Sequence, residues 1–234
     1  MLDEQISKVW KVGTKCEKCA IRNMVLFADL TREDFDLMHQ PIHDFELRVG
    51  ETLYKTEDDP LHVFTLRSGL IKLISYLPDG SHRIVRIIKQ GDVVGLEAMS
   101  GKPYLHHAVV LEVATVCKIP VSLIDKLNEN SPHLSKQLML RWQKVISDAD
   151  VWLTKLSVGL ANQRVASLLL YLAEGANKDK CFLPCREDIG ATLAISPETA
   201  SRVIASFKRE GWVKSLSPYR VALNSDALAE LLDL

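Results

Sequence analysis

No stretch of this chain approaches the roughly 20 apolar residues that a membrane span requires. The opening MLDEQISKVWKVG also lacks the basic-then-apolar order of a secretion signal. These absences predict a cytoplasmic protein with no membrane partner. Net charge is equally scarce: Lys+Arg 29 oppose Asp+Glu 30, leaving a formal charge of -1. Global attraction to polyanions is thereby excluded, and any nucleic-acid contact has to rest on a local patch. Cysteine is sparse, odd in number at five and scattered, which speaks against a disulfide framework and for reduced thiols or metal ligation. Catalytic signatures are missing too. No G-x-G-x-x-G, H-E-x-x-H or G-x-S-x-G occurs, and no His/carboxylate cluster stands at catalytic spacing, so the chain reads as something other than an enzyme. What is present is an ordinary globular composition, 47% hydrophobic and 25% charged over 234 residues, enough for one large domain or two modest ones with real cores.

From about Phe27 to Pro120, short β-type runs are punctuated by glycine. HVFTLRSGLIKLISYL and SHRIVRII flank Pro78-Asp79-Gly80, a strong hairpin signal. The reading is an antiparallel β-roll within an α+β fold. Pro132 then opens a long helix in which Leu138, Trp142, Val145, Ala149, Trp152 and Leu156 repeat at heptad spacing, the pattern of a coiled-coil seam. A second row, Met139, Trp142, Ile146, Ala149, Leu153 and Leu156, fits nearly as well. One flank should pack on its own β-domain while the other meets a second copy, giving a homodimer.

After QRVASLLLYLAEGAN, another apolar-periodic helix, comes REDIGATLAISPETASRVIASF, which reads helix, tight turn, helix. Small Gly190 lets the two helices cross steeply, and Ile195 is expected to be buried at the turn. Ser196 is a good N-cap for the second helix, Pro197 suits its first position and Gly211 is placed to end it. Ala200, Val203, Ile204 and Phe207 form its apolar stripe, which leaves Glu198, Ser201 and Arg202 on the first exposed turns. In a helix-turn-helix those turns meet base edges in the major groove of double-stranded DNA. Arg202 can give two hydrogen bonds to guanine, Glu198 can accept from a cytosine amine, and Ser201 can contact a thymine methyl or a nearby acceptor. WVKSLSPYRVAL follows as a two-stranded wing. From Glu198 to Arg220 the positive residues Arg202, Lys208, Arg209, Lys214 and Arg220 outweigh Glu198 and Glu210. Ser196, Thr199, Lys208, Lys214 and Arg220 are the candidate contacts to the DNA backbone.

In that order of parts, the chain resembles the CRP/FNR superfamily of bacterial transcription regulators from about Cys16 to its C-terminus. The resemblance is carried by E-x-x-S-R at Glu198, Ser201 and Arg202 and by the RVGETLY, LRSGLIKLI and GDVVG segments. It implies a division into an N-terminal extension with Cys-x-x-Cys over 1–26, a β-roll sensor over 27–130, a dimerisation helix over 131–157 and a winged helix-turn-helix over 158–234. The E-x-x-S-R form is similar to the FNR branch, which prefers palindromic operators with TTGA-type half-sites. Where the cyclic-AMP branch has a basic residue before the glutamate, this chain has Pro197. The resemblance also implies RNA polymerase as a partner, through an exposed turn such as Asp79-Gly80-Ser81.

The signal is less legible. Cyclic-nucleotide members of the superfamily carry Gly-Glu and Arg-Ser pairs, whereas this chain reads Gly95-Leu96-Glu97 and His106-His107-Ala108. With no arginine at that place to hold the phosphate, cyclic AMP is disfavoured. The FNR resemblance implies a [4Fe-4S] cluster: Cys16, Cys19 and Cys117 match three ligand positions, and Val25 stands where the fourth cysteine is expected. Haem ranks behind the cluster, and a metal-free protein stays open. Cys181 and Cys185 read as structural. The competing class is a redox or metal-binding protein built on Cys16-Glu-Lys-Cys19 without a DNA function.

Overall fold

The computed structural model describes residues 27, 42–130, 132–174 and 178–232. It falls into two compact units: the residues up to Ser75 with Val85–Val145, and Tyr76–Ile84 with Ile146–Leu234.

The first unit is built on strands β1 (His43–Leu47), β2 (Thr52–Tyr54), β3 (His62–Tyr76), β4 (His82–Ile88), β5 (Val93–Val94) and β6 (His107–Pro120). They form one sheet in the order β1-β6-β3-β4, with β2 paired to β6 and β5 to β3. β1, β2 and β3 each run antiparallel to β6, the expected roll. β3 is buried in runs, Val63–Leu66, Leu70–Ile71 and Leu73–Ile74, and Val63, Leu66 and Ile71 are sealed from solvent in one core with Val110, Val116 and Ile124. Gly69 lets β3 slip against β6: its φ is 85°, and a Cβ there would sit 2.1 Å from the Val113 carbonyl oxygen, closer than any side chain tolerates.

Helix α1 (Val121–Asn130) precedes the long helix α2 (Pro132–Val151), which runs on into a π-helical turn at Trp152–Leu156. The start at Pro132 is as read from the sequence; α1 was not separated there. The two heptad rows of this helix have different fates. Leu138 is buried in the β-roll core, with Val145 packed against it. Trp152 and Leu156 are buried further along, Trp152 meeting the Tyr171 ring edge-on at 5.9 Å. Leu138, Trp152 and Leu156, read as seam positions, are therefore taken up inside their own chain. Met139, Ile146 and Leu153 are exposed at 72%, 61% and 65% and Trp142 at 43%, with Ala149 also exposed. Heptad spacing marks two adjacent stripes without saying which of them meets the same chain.

The second unit contains α3 (Ala161–Tyr171), β7 (Lys180–Phe182), α4 (Arg186–Leu193), α5 (Pro197–Arg209), β8 (Val213–Ser217), β9 (Arg220–Leu223) and α6 (Ser225–Glu230). Its sheet runs β7-β9-β8. β7 escaped the sequence reading because three residues carry no period; pairing with β9 makes them a strand. Among the described residues no helix is long and apolar enough to cross a membrane.

Candidate nucleic-acid interface

Helices α4 and α5 pack on each other across the short turn Ala194–Ser196, the order of parts expected of a helix-turn-helix. α4 ends on Ala194, which adopts the left-handed conformation at φ 54°, and its last carbonyl, that of Leu193, accepts from Arg164 Nη1 of α3 at 2.7 Å. Gly190 is the close-approach point: a Cβ there would lie 2.7 Å from the Ile195 carbonyl oxygen, so any larger residue pries the turn open. Ile195 itself is half-buried, not the fully buried turn residue expected; it is its backbone carbonyl that packs against Gly190.

The start of α5 follows the sequence closely. Ser196 is the N-cap and its hydroxyl accepts from the Thr199 N–H at 3.1 Å, with Pro197 at the first position. Ala200, Ile204 and Phe207 are buried and Val203 is half-buried. Glu198, Ser201 and Arg202 are exposed on the opposite face. The Glu198 carboxyl is held below its usual range, first by its own backbone N–H, then by the Ser196 hydroxyl, with Arg186 and Arg202 adding to it. It is thus an ionised acceptor at neutral pH. Among the described residues Arg202 keeps only a long 3.4 Å contact from Nε to the Glu198 carbonyl oxygen, which leaves its guanidinium fork available.

Around this face the candidate backbone contacts divide. Ser196, Lys208 and Lys214 are exposed and Thr199 is half-buried. Arg220 is different: its Nη1 donates to Glu174 Oε2 at 2.6 Å, and an engaged guanidinium offers a phosphate less than a free one. Sequence reasoning missed Arg186, exposed at the first position of α4 and paired with Glu187 at 2.8 Å. It lies close enough to Glu198 for each to shift the other's ionisation. The signal was available, since the arginine stands at a helix start three residues before Ile189, but it carries no periodicity of its own.

The cysteines separate as well. Cys16 and Cys19 lie outside the described residues. Cys117 is half-buried on β6, opposite Asp44 of β1 and Thr65 of β3. Among the described residues no group of three His, Cys, Asp or Glu side chains is placed to hold a metal, and of the three expected cluster ligands Cys117 alone lies among them. Burial, with a smaller contribution from Glu174, pushes the Cys181 thiol up to about 12, and Cys185 serves as N-cap of α4, accepting from the Asp188 N–H at 3.4 Å. Both are in structural roles.

The β-roll holds a cavity of about 130 Å³, lined among others by Leu73, Arg86, Glu97, Leu105, His106 and Trp142. Glu97, one residue later than a Gly-Glu pair would place it, does reach this cavity, and Glu97 Oε1 accepts from the Leu105 N–H at 3.2 Å. No arginine stands at His106-His107, where the superfamily's Arg-Ser pair would be. The tertiary structure supplies one from β4, Arg86, twenty residues before His106.

Two family descriptions match the chain. The cyclic nucleotide-binding domain covers residues 45–131 and the Crp-like helix-turn-helix domain residues 163–231. The transcriptional activator protein anr of Pseudomonas aeruginosa is 31% identical over 207 residues, covering 86% of this chain and 85% of that protein. The chain belongs to the CRP/FNR family of transcription regulators. Within this family the fumarate and nitrate reduction regulatory protein of Salmonella typhi is 30% identical over 225 residues, 92% of this chain and 89% of that one. FixK2 from Bradyrhizobium japonicum shares the fold, with a TM-score of 0.73 and 24% identity over 82% of this chain and 98% of that chain. As a CRP/FNR regulator the chain acts on DNA through its helix-turn-helix, and Glu198, Ser201 and Arg202 are the exposed polar residues on the opening turns of the second helix of that motif.

Proposed function

We propose that this CRP/FNR regulator binds a palindromic operator with TTGA-type half-sites as a homodimer. In this reading Arg202, Glu198 and Ser201 read bases, while Ser196, Thr199, Lys208 and Lys214 hold phosphates. The single observation that carries it is the division of α5 into a buried stripe and an exposed face that opens on Glu198, Ser201 and Arg202, for which folding alone gives no reason. Arg220 joins the backbone contacts only by leaving Glu174, so it ranks behind Lys214.

Dimerisation is supported by the exposed row Met139, Trp142, Ile146, Ala149 and Leu153. Large apolar side chains at heptad spacing in water are what a second copy of the same helix would cover. Two recognition helices tied to one helix pair then match the two-fold symmetry of a palindrome, and a shift of that pair changes their separation. We place the input in the β-roll and its N-terminal extension, a redox, oxygen or small-molecule signal. A [4Fe-4S] cluster on Cys16, Cys19 and Cys117, supplying oxygen-sensitive redox chemistry when bound, is preferred to haem. The exposed Asp79-Gly80-Ser81 turn, in which Asp79 accepts from both the Ser81 N–H and its hydroxyl at 2.9 and 2.6 Å, is the contact we assign to RNA polymerase.

The test is a gel shift of the full chain, prepared anaerobically, on a TTGA palindrome, a half-site and random DNA, with a visible spectrum of the same sample. Cooperative retention of the palindrome alone supports the reading, and equal retention of all three overturns it. A broad visible absorption supports the cluster, a sharp Soret band assigns haem instead, and a featureless spectrum leaves a metal-free regulator.

A further inference from the structure

The cavity of the β-roll carries an uncompensated pair of opposite charges. Arg86 and Glu97 both line it, yet among the described residues they do not form an ion pair with each other or with any neighbour. Both act on the same two groups. The half-buried His106 feels the guanidinium and the carboxylate together. So does the Tyr54 hydroxyl, buried in the core with no hydrogen-bond partner among the described residues. A cation and an anion that share a half-buried space without touching leave a gap costly to keep empty, because each is partly desolvated without being neutralised. The remaining lining includes the apolar Leu73, Val94, Leu105 and Trp142.

A cyclic nucleotide does not suit this space. At about 130 Å³ the cavity is near the engineered cavity of about 150 Å³ that takes one benzene, and a purine, a sugar and a phosphate exceed it. Glu97 would also repel a phosphate drawn toward Arg86. The occupant has to be of roughly benzene's size and to bring a planar anionic acceptor for the guanidinium fork together with a donor for the carboxylate.

We propose that the β-roll cavity binds a small α-amino acid, its carboxylate on Arg86, its ammonium on Glu97 and a short side chain against Leu73 and Leu105. The inference rests on the reading of the β-roll as the sensor. Trp142 lines the cavity and also stands on the exposed row of α2, so the occupant would touch the helix assigned to the dimer.

Isothermal titration of the full chain with glycine, L-alanine and L-serine tests this, with acetate, methylamine and cyclic AMP as controls. Saturable binding of at least one amino acid is expected, with neither half-ligand reproducing it. Arg86→Gln and Glu97→Gln should each weaken it at least tenfold, since each removes a charge-assisted pair. Arg86→Lys, which keeps the charge and loses the fork, should fall between, and thermal melts without ligand show which variants are folded. No heat from any of the three amino acids, binding indifferent to both Gln substitutions, or displacement by cyclic AMP would each overturn the proposal. The same preparations are tested on the palindrome without ligand. A protein that binds DNA but no amino acid sinks this inference alone, whereas one that binds alanine but no palindrome sinks the operator reading instead.

Discussion

Removing the Arg202 side chain separates base reading from simple attraction to DNA. The residue is exposed, and among the described residues its guanidinium makes only the 3.4 Å contact to the Glu198 carbonyl. Alanine is the better helix former, so Arg202→Ala should change folding stability by no more than roughly half a kcal/mol. On the operator the loss is larger. A bidentate contact to guanine is worth about 1 to 3 kcal/mol, and a dimer reading two half-sites loses it twice, about 2 to 6 kcal/mol or roughly thirtyfold or more in affinity. On random DNA little should change, because the guanine is rarely where the fork can reach it. Lys214→Ala supplies the contrast. If its exposed ammonium on the wing holds a phosphate as proposed, the substitution should weaken all sequences alike and lower the salt slope by about one per contact. Fluorescence anisotropy on the palindrome, a single-base variant and random DNA at two salt concentrations measures both. If the two substitutions give the same profile across the three DNAs, α5 does not read bases.

Four further outcomes are expected. Glu198→Ala should relax discrimination at one base pair and leave the others intact, because an ionised carboxylate repels acceptor edges as well as accepting from cytosine; selection from a randomised half-site measures this. Ala149→Glu places two like charges where the exposed rows of α2 would meet, so the dimer should weaken by about 3 to 5 kcal/mol, and a variant still dimeric at micromolar concentration in sedimentation would count against the helix seam. Serine at Cys16, Cys19 or Cys117 should remove the same visible absorbance and the same share of DNA affinity if the three hold one cluster, while unequal effects would make them independent. Cys181 sets a pH window. Its pKa rises from the ordinary 9.0 to about 12, so the folded state keeps a proton that the unfolded chain gives up, and stability present below pH 9 should fall as pH climbs toward 12. Urea unfolding across that range should show the decline, and Cys181→Ser should flatten it.

Helix α5 was legible in the sequence because its signals are local. Ser196 as cap, Pro197 at the first position, the stripe of Ala200, Ile204 and Phe207 and the stop at Gly211 all act within one or two turns, and the helix observed at Pro197–Arg209 obeys them. The hairpin at Pro78-Asp79-Gly80 and the long helix beginning at Pro132 were legible for the same reason. Periodicity, however, says that a face is apolar and not what lies against it. Packing of the folded chain turns Leu138 and Trp152 inward and leaves Met139 and Ile146 exposed. Charges followed the same rule. Nothing near Arg220 in sequence announces that Glu174, forty-six residues earlier, holds it. Nor does anything near Arg86 announce that it shares a cavity with Glu97 and His106. Such pairings depend on which strands the sheet brings side by side, and that is set by packing of the whole core and not by any segment's own pattern.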